Sequence, residues 1–123
     1  AAKQRASLSP GKPPNIKFYV SAAPDAADYT IASGLFNVRG QREDEQWLTY
    51  IYDSLEQMDV CSERGFAFNC LTSYSDEDKK RDYLYYADPL QIFDRCKKKY
   101  AKDVALLHDY GLYEFTIIVR KKL

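Results

Sequence analysis

The chain has 123 residues, 46% of them hydrophobic, which is one domain's worth of sequence with enough apolar surface to bury a core. Eighteen basic residues balance eighteen acidic ones for a formal net charge of +0, which removes the electrostatic footprint of a nucleic-acid binder and argues against nucleic acid as the main partner. Cys61, Cys70 and Cys96 are odd in number, widely spaced and never arranged as C-x-x-C, so neither a disulfide framework nor a zinc site is indicated and a reducing cytoplasm suits them; no apolar run approaches a membrane span and no signal-peptide core is present.

The first fourteen residues carry Lys3, Arg5 and Lys12 among Ser9-Pro10-Gly11 and Pro13-Pro14. Such a composition cannot bury enough surface to offset its ordering entropy, and a disordered basic arm is expected over 1–14. Asn15-Ile16-Lys17-Phe18-Tyr19-Val20 then begins by alternating apolar and polar residues and reads as a first strand. After Pro24-Asp25, the short apolar run from Asp28 to Ser33 ends at Gly34 and is followed by Arg42-Glu43-Asp44-Glu45. That is strand, glycine loop and helix start, one βα unit. In open α/β sheets ligands bind outside the carboxyl ends of the strands, so Ser33, Gly34, Phe36 and Asn37 fall where a site is expected. An ordinary strand-to-helix turn uses the same residue types.

Trp47, Ile51, Leu55 and Met58 recur at spacings of four and three, widened by Leu48 and Tyr52, and predict an amphipathic helix of about five turns stopped at Gly65. Phe66 to Thr72 is nearly continuous in apolar character, as in a strand covered on both faces. The charged stretch Ser73 to Tyr86 is expected as a long loop at the carboxyl end of that strand. Asp88-Pro89 supplies an N-cap and a proline at the first helical position, with Leu90, Phe93 and Cys96 as the buried face of a second helix reaching Tyr100. Val104 to His108 and Tyr113 to Arg120, joined by Asp109-Tyr110-Gly111-Leu112, are close enough to require an antiparallel hairpin.

The runs Ala27 to Asn37, Phe66 to Ser73, Leu84-Tyr85-Tyr86-Ala87-Asp88-Pro89 and His108 to Thr116 resemble the second half of bacterial class I S-adenosylmethionine-dependent methyltransferases. The resemblance covers almost everything from Asn15 to the end. It implies an α/β fold: a partial Rossmann-like methyltransferase sheet closed by a C-terminal antiparallel hairpin, with residues 15–123 forming the C-terminal half of the domain. In these terms Asn15 to Val20 is the family's third strand, Asp28 to Ser33 the fourth, Phe66 to Thr72 the fifth, and the hairpin the sixth and seventh. A three-layer arrangement is expected, with the last strand antiparallel beside the fifth. The family's glycine-rich cofactor loop and its ribose-binding acid have no counterpart, since none of the five glycines forms G-x-G.

By the resemblance, the function is transfer of a methyl group from S-adenosylmethionine to a small-molecule oxygen or nitrogen, with this chain as the acceptor-side half. The alternative is a truncated, non-catalytic methyltransferase acting as an interaction or regulatory module. Ser33, Gly34, Phe36 and Asn37 would lie under the methyl-donor sulfur. His108, the single histidine, has the pKa range of a general base for the acceptor, although a hydrogen-bonded histidine at a strand end is the commoner case. Tyr74, Tyr83, Tyr85 and Tyr86 are candidates for a substrate wall, or for structural packing. No metal site is expected. With the first half absent, the third strand should sit apart from the sheet and leave Tyr29 and Ile31 on an open edge. Self-association or pairing with the missing N-terminal half is the expected remedy.

Overall fold

The computed structural model of the protein describes residues 16–18 and 27–121. The expected basic arm over 1–14 lies outside the described residues. In chain order the elements are β1 (Ile16–Phe18), β2 (Ala27–Ala32), α1 (Asp44–Cys61), β3 (Ser62–Thr72), a single 3-10 turn (Glu77–Lys79), β4 (Tyr86–Ala87), α2 (Pro89–Lys99), β5 (Asp103–Leu107) and β6 (Glu114–Arg120). The fold is α/β with a mixed open sheet in the order β1-β2-β3-β6-β5, and β4 pairs with the end of β3. β1, β2 and β3 are parallel, whereas β6 lies antiparallel between β3 and β5.

Each element has a local cause. Asp44 and Glu45 occupy the positive first turn of α1, and the Glu43 backbone N–H donates to Gln46 Oε1 at 3.3 Å. Trp47, Ile51, Leu55 and Met58 are all buried, as their spacing predicts. Asp88 caps α2 by accepting from the Leu90 N–H at 3.0 Å, with Pro89 at the first helical position. The buried face of α2 is Pro89, Ile92 and Cys96, whereas Leu90, expected inside, is 60% exposed. Leu90 sits two residues past the cap, on the side of the first turn that looks away from the sheet.

Gly65 corrects the expected end of α1. The helix stops at Cys61, β3 starts at Ser62, and Gly65 is a strand residue opposite Arg120. Its φ is +157°, and a Cβ there would lie 2.1 Å from the Val119 carbonyl oxygen. Lys121 locks this corner, its Nζ donating to the carbonyls of Asp59 at 2.8 Å and Ser62 at 2.7 Å.

The layering also departs from expectation. Phe66, Phe68 and Cys70 of β3 and Phe115, Ile117 and Val119 of β6 are buried on one face, against α1 and α2. The two helices touch each other there: Arg95 sits 3.8 Å above the Tyr52 ring, and Lys99 pairs with Glu56. The chain advances across the sheet in one direction, from β2 through α1 to β3 and from β3 through α2 to β5. Right-handed crossovers in one direction place every connecting helix on the same face. Among the described residues there are therefore two layers instead of three. The other face exposes a shallow hollow of about 240 Å³ lined by Tyr29, Ile31, Ala67, Ile118 and Arg120.

The expected stranding of the first strand is corrected as well. β1 pairs directly and in parallel with β2, Ile16 opposite Tyr29 and Phe18 opposite Ile31. The backbone groups of β2 that were expected to form an open edge are thereby paired, and the edge passes to the three-residue β1.

Candidate functional site

Of the candidate residues, Ser33, Gly34, Asn37 and His108 meet at the carboxyl ends of β2 and β3, around Asn69 and Thr72. Strand alternation divides them between the two faces of β3, because Asn69 points opposite to Phe68 and Cys70 while Thr72 points with them.

On the open face, Asn69 organises the loop after β2. Its Oδ1 accepts the Gly34 N–H at 2.8 Å, and its Nδ2 donates to Ser33 Oγ at 3.2 Å. Gly34 has φ +72°, a turn conformation that suits glycine. Asn37 Oδ1 accepts the Leu71 N–H at 3.2 Å, tying the same loop to the neighbouring strand. Thr116 lies directly opposite Asn69 and shares a hydrogen bond with the Tyr110 hydroxyl at 2.9 Å. A polar strip thus crosses the top of the open face above the apolar hollow.

Phe36, expected with this group, belongs elsewhere. It is fully buried, edge-on to Phe68 at 5.9 Å and to Tyr50 at 6.2 Å, and its carbonyl accepts from Trp47 Nε1 at 2.8 Å. The loop turns inward at this residue because an aromatic ring there completes the core under α1.

On the helix side of the sheet, the fully buried Thr72 meets His108, with Oγ1 and Nε2 2.8 Å apart. The imidazole stacks on Phe115 at 6.2 Å and meets the edge of Tyr74 at 5.8 Å. The Tyr74 N–H donates to Thr72 Oγ1 at 3.1 Å. Tyr113 donates its hydroxyl to Asp76 Oδ2 at 2.5 Å, and that bond holds the exposed phenol above its usual range. His108 itself is exposed, as are Tyr74 and Tyr113.

The four tyrosines expected as a wall separate. Tyr74 is exposed beside His108, and Tyr83 is exposed while its carbonyl accepts from Arg39 and Gly40 at 3.0 and 3.1 Å. Tyr86 forms β4 and receives the Arg81 N–H at 2.8 Å. Tyr85 is in the core, 9% exposed, and burial pushes its phenol up to about 12. A lid of four is thus reduced to Tyr74 and Tyr83 as exposed rings.

The shift at Tyr85 carries a test. A phenol raised from 10.0 to about 12 contributes stability that is complete below pH 10 and lost as pH rises through 12. The loss is expected to be about 2 kcal/mol. Denaturant melts of Tyr85→Phe should lose less stability than wild type across that interval, with the remainder set by the other raised groups, Tyr100, Tyr52, Cys70, Cys96 and Tyr113.

Asn69 and Thr72 were not singled out by sequence. Their signal was present, since both are polar residues in the otherwise apolar run Phe66 to Thr72. Among the described residues no group of histidine, cysteine and acidic side chains is placed to hold a metal. No helix is long and apolar enough to cross a membrane.

Among the described residues, the groups expected to face S-adenosylmethionine are largely engaged within the chain. Gly34 N–H and Asn37 Oδ1 already have partners within the chain, and Phe36 is in the core.

No family model matches the chain, and no solved structure matches it. A protein of Mycobacterium tuberculosis, provisionally named a methyltransferase, is 58% identical to it over 108 residues. The match takes in 87% of this chain, and the chain spans about 65% of the relative's length. By sequence, then, the chain is similar over most of its length to part of a longer protein that carries a methyltransferase name.

Proposed function

We propose that the chain is the acceptor-side half of a class I S-adenosylmethionine-dependent methyltransferase acting on a small-molecule oxygen or nitrogen. The observation that carries this reading is the 58% identity, over 87% of the chain, to the methyltransferase-named relative. The polar groups gathered at the carboxyl ends of β2 and β3 agree with it, because ligands of open α/β sheets bind there. In methyl transfer the protein chiefly aligns acceptor, methyl group and sulfur, and alignment is what rigidly held loops supply.

The cofactor cradle is assigned to a portion of fold outside this sequence. Two observations support the assignment: the groups expected to face the cofactor are largely engaged within the chain, and the relative is longer than the match. The apolar face opposite α1 and α2 is the surface on which that portion, or a second copy of the chain, would pack, since parallel strands are normally covered on both sides. The satisfied amides of the Ser33 loop also favour the second reading, a methyltransferase-derived module without catalysis.

Calorimetry with S-adenosylhomocysteine separates the possibilities. The 123-residue chain is expected to bind at about millimolar strength or weaker, and the full-length relative at about micromolar strength. Micromolar binding by the chain alone would show that no further segment is needed. Absence of binding by both proteins would remove the methyltransferase reading.

A further inference from the structure

Thr72 and His108 form a hydrogen-bonded pair whose proton positions follow from counting donors and acceptors. Thr72 is fully buried. Its backbone N–H donates to the Tyr113 carbonyl at 3.0 Å, and its carbonyl accepts from the Ser75 N–H and from Ser75 Oγ at 3.0 and 2.7 Å. The side-chain oxygen accepts the Tyr74 N–H at 3.1 Å and lies 2.8 Å from His108 Nε2. No other contact of this hydroxyl is present among the described residues.

A threonine hydroxyl has one proton to donate and two lone pairs. The Tyr74 N–H occupies one lone pair. If Nε2 carried the imidazole proton, it would occupy the other and leave the buried hydroxyl proton with no acceptor, an arrangement that folded interiors avoid. If Nε2 is bare, it accepts that proton, and every group at Thr72 is satisfied. The neutral ring must then carry its own proton on Nδ1, which has no protein partner among the described residues. His108 is exposed, and its ring is held between Phe115 and the edge of Tyr74.

We infer that the Thr72 hydroxyl donates to His108 Nε2 and fixes the Nδ1–H tautomer, so that His108 serves as a hydrogen-bond donor to a lone pair on a bound acceptor molecule instead of as a general base. A base needs a free lone pair to receive a proton. In this arrangement the Nε2 lone pair is engaged by Thr72 and Nδ1 already bears hydrogen. Thr72 is therefore a positioning residue that acts through His108, and the class of molecule it selects offers an oxygen or nitrogen lone pair beside an aromatic surface. The donor role toward an acceptor rests on the functional reading above, whereas the tautomer rests on geometry alone.

Long-range nitrogen–proton correlation spectra of the 123-residue chain, recorded above the imidazole titration with no cofactor or acceptor present, report the tautomer directly. The Nδ1–H form is expected in about tenfold excess, the scale set by leaving a buried hydroxyl proton unmade. Free histidine prefers the opposite form, so the result is not the default. Thr72→Ser, which keeps the hydroxyl, should retain the pattern, and Thr72→Val should return the ring to Nε2–H. A wild-type ring in the Nε2–H form overturns the inference, as does an unchanged Nδ1–H pattern in Thr72→Val. If the valine variant does not fold, wild type and Thr72→Ser decide by the same criterion. The measurement uses no cofactor, so its failure is distinct from a failure of the calorimetric test.

Discussion

Replacing Gly65 with alanine is expected to destabilise the fold by about 3–5 kcal/mol, through overpacking combined with backbone strain. The added Cβ would stand 2.1 Å from the Val119 carbonyl oxygen, 3.2 Å from its carbon and 3.3 Å from the Arg120 Cα. All three atoms are backbone, so no side chain can rotate away. Relief requires separating β3 from β6 at Gly65 and Arg120, in the pairing that joins the parallel half of the sheet to the hairpin. The φ of +157° adds a second penalty that any side chain would meet. Chemical denaturation measures the effect, and a loss below about 1 kcal/mol would show that the sheet yields at this point. Gly34→Ala is the control: its φ is +72° but nothing lies within 4 Å of the new Cβ, so only the conformational part, about 1 kcal/mol, is expected.

Phe36→Ala is expected to cost about 3–5 kcal/mol, the range for removing a buried phenylalanine. The ring is fully buried between Phe68 and Tyr50, and its loss opens a cavity beneath the Trp47 side of α1. The neighbouring Ser33→Ala should change stability by less than about 1 kcal/mol, since Ser33 is exposed and takes part in one hydrogen bond at 3.2 Å. Two residues three apart in one loop, both placed by sequence among the site candidates, thus separate by an equilibrium measurement. Equal losses in the two variants would mean that Phe36 does not anchor the core as its packing indicates.

The sequence by itself determined the parts of this protein that depend on near neighbours. The period of Trp47, Ile51, Leu55 and Met58 specified α1 and its buried face, because a helix repeats every 3.6 residues and those side chains return to one side. Asp88 before Pro89 specified the start of α2, since an acceptor side chain and a fixed φ are both local properties. The short link between β5 and β6 left the chain no room for a parallel crossover. The place of the candidate site was legible for the same kind of reason: the strand, loop and helix sequence around Ser33 and Gly34 marks a carboxyl end wherever it occurs.

What only the tertiary structure decided depends on contacts between residues far apart in the chain. Gly65 reads as a helix stop until Val119, 54 positions away, is seen to pass where its side chain would be. Phe36 and Tyr85 are apolar enough to line a pocket or fill a core, and the closure of α1 and the 80–87 segment over β3 places both inside. Asn69 and Thr72 acquire roles from Gly34 and His108, which approach within hydrogen-bond distance across 35 and 36 residues of chain. The open face follows from the direction of winding: each crossover is right-handed by local strand twist, but only the order of strands in space puts both helices on one side.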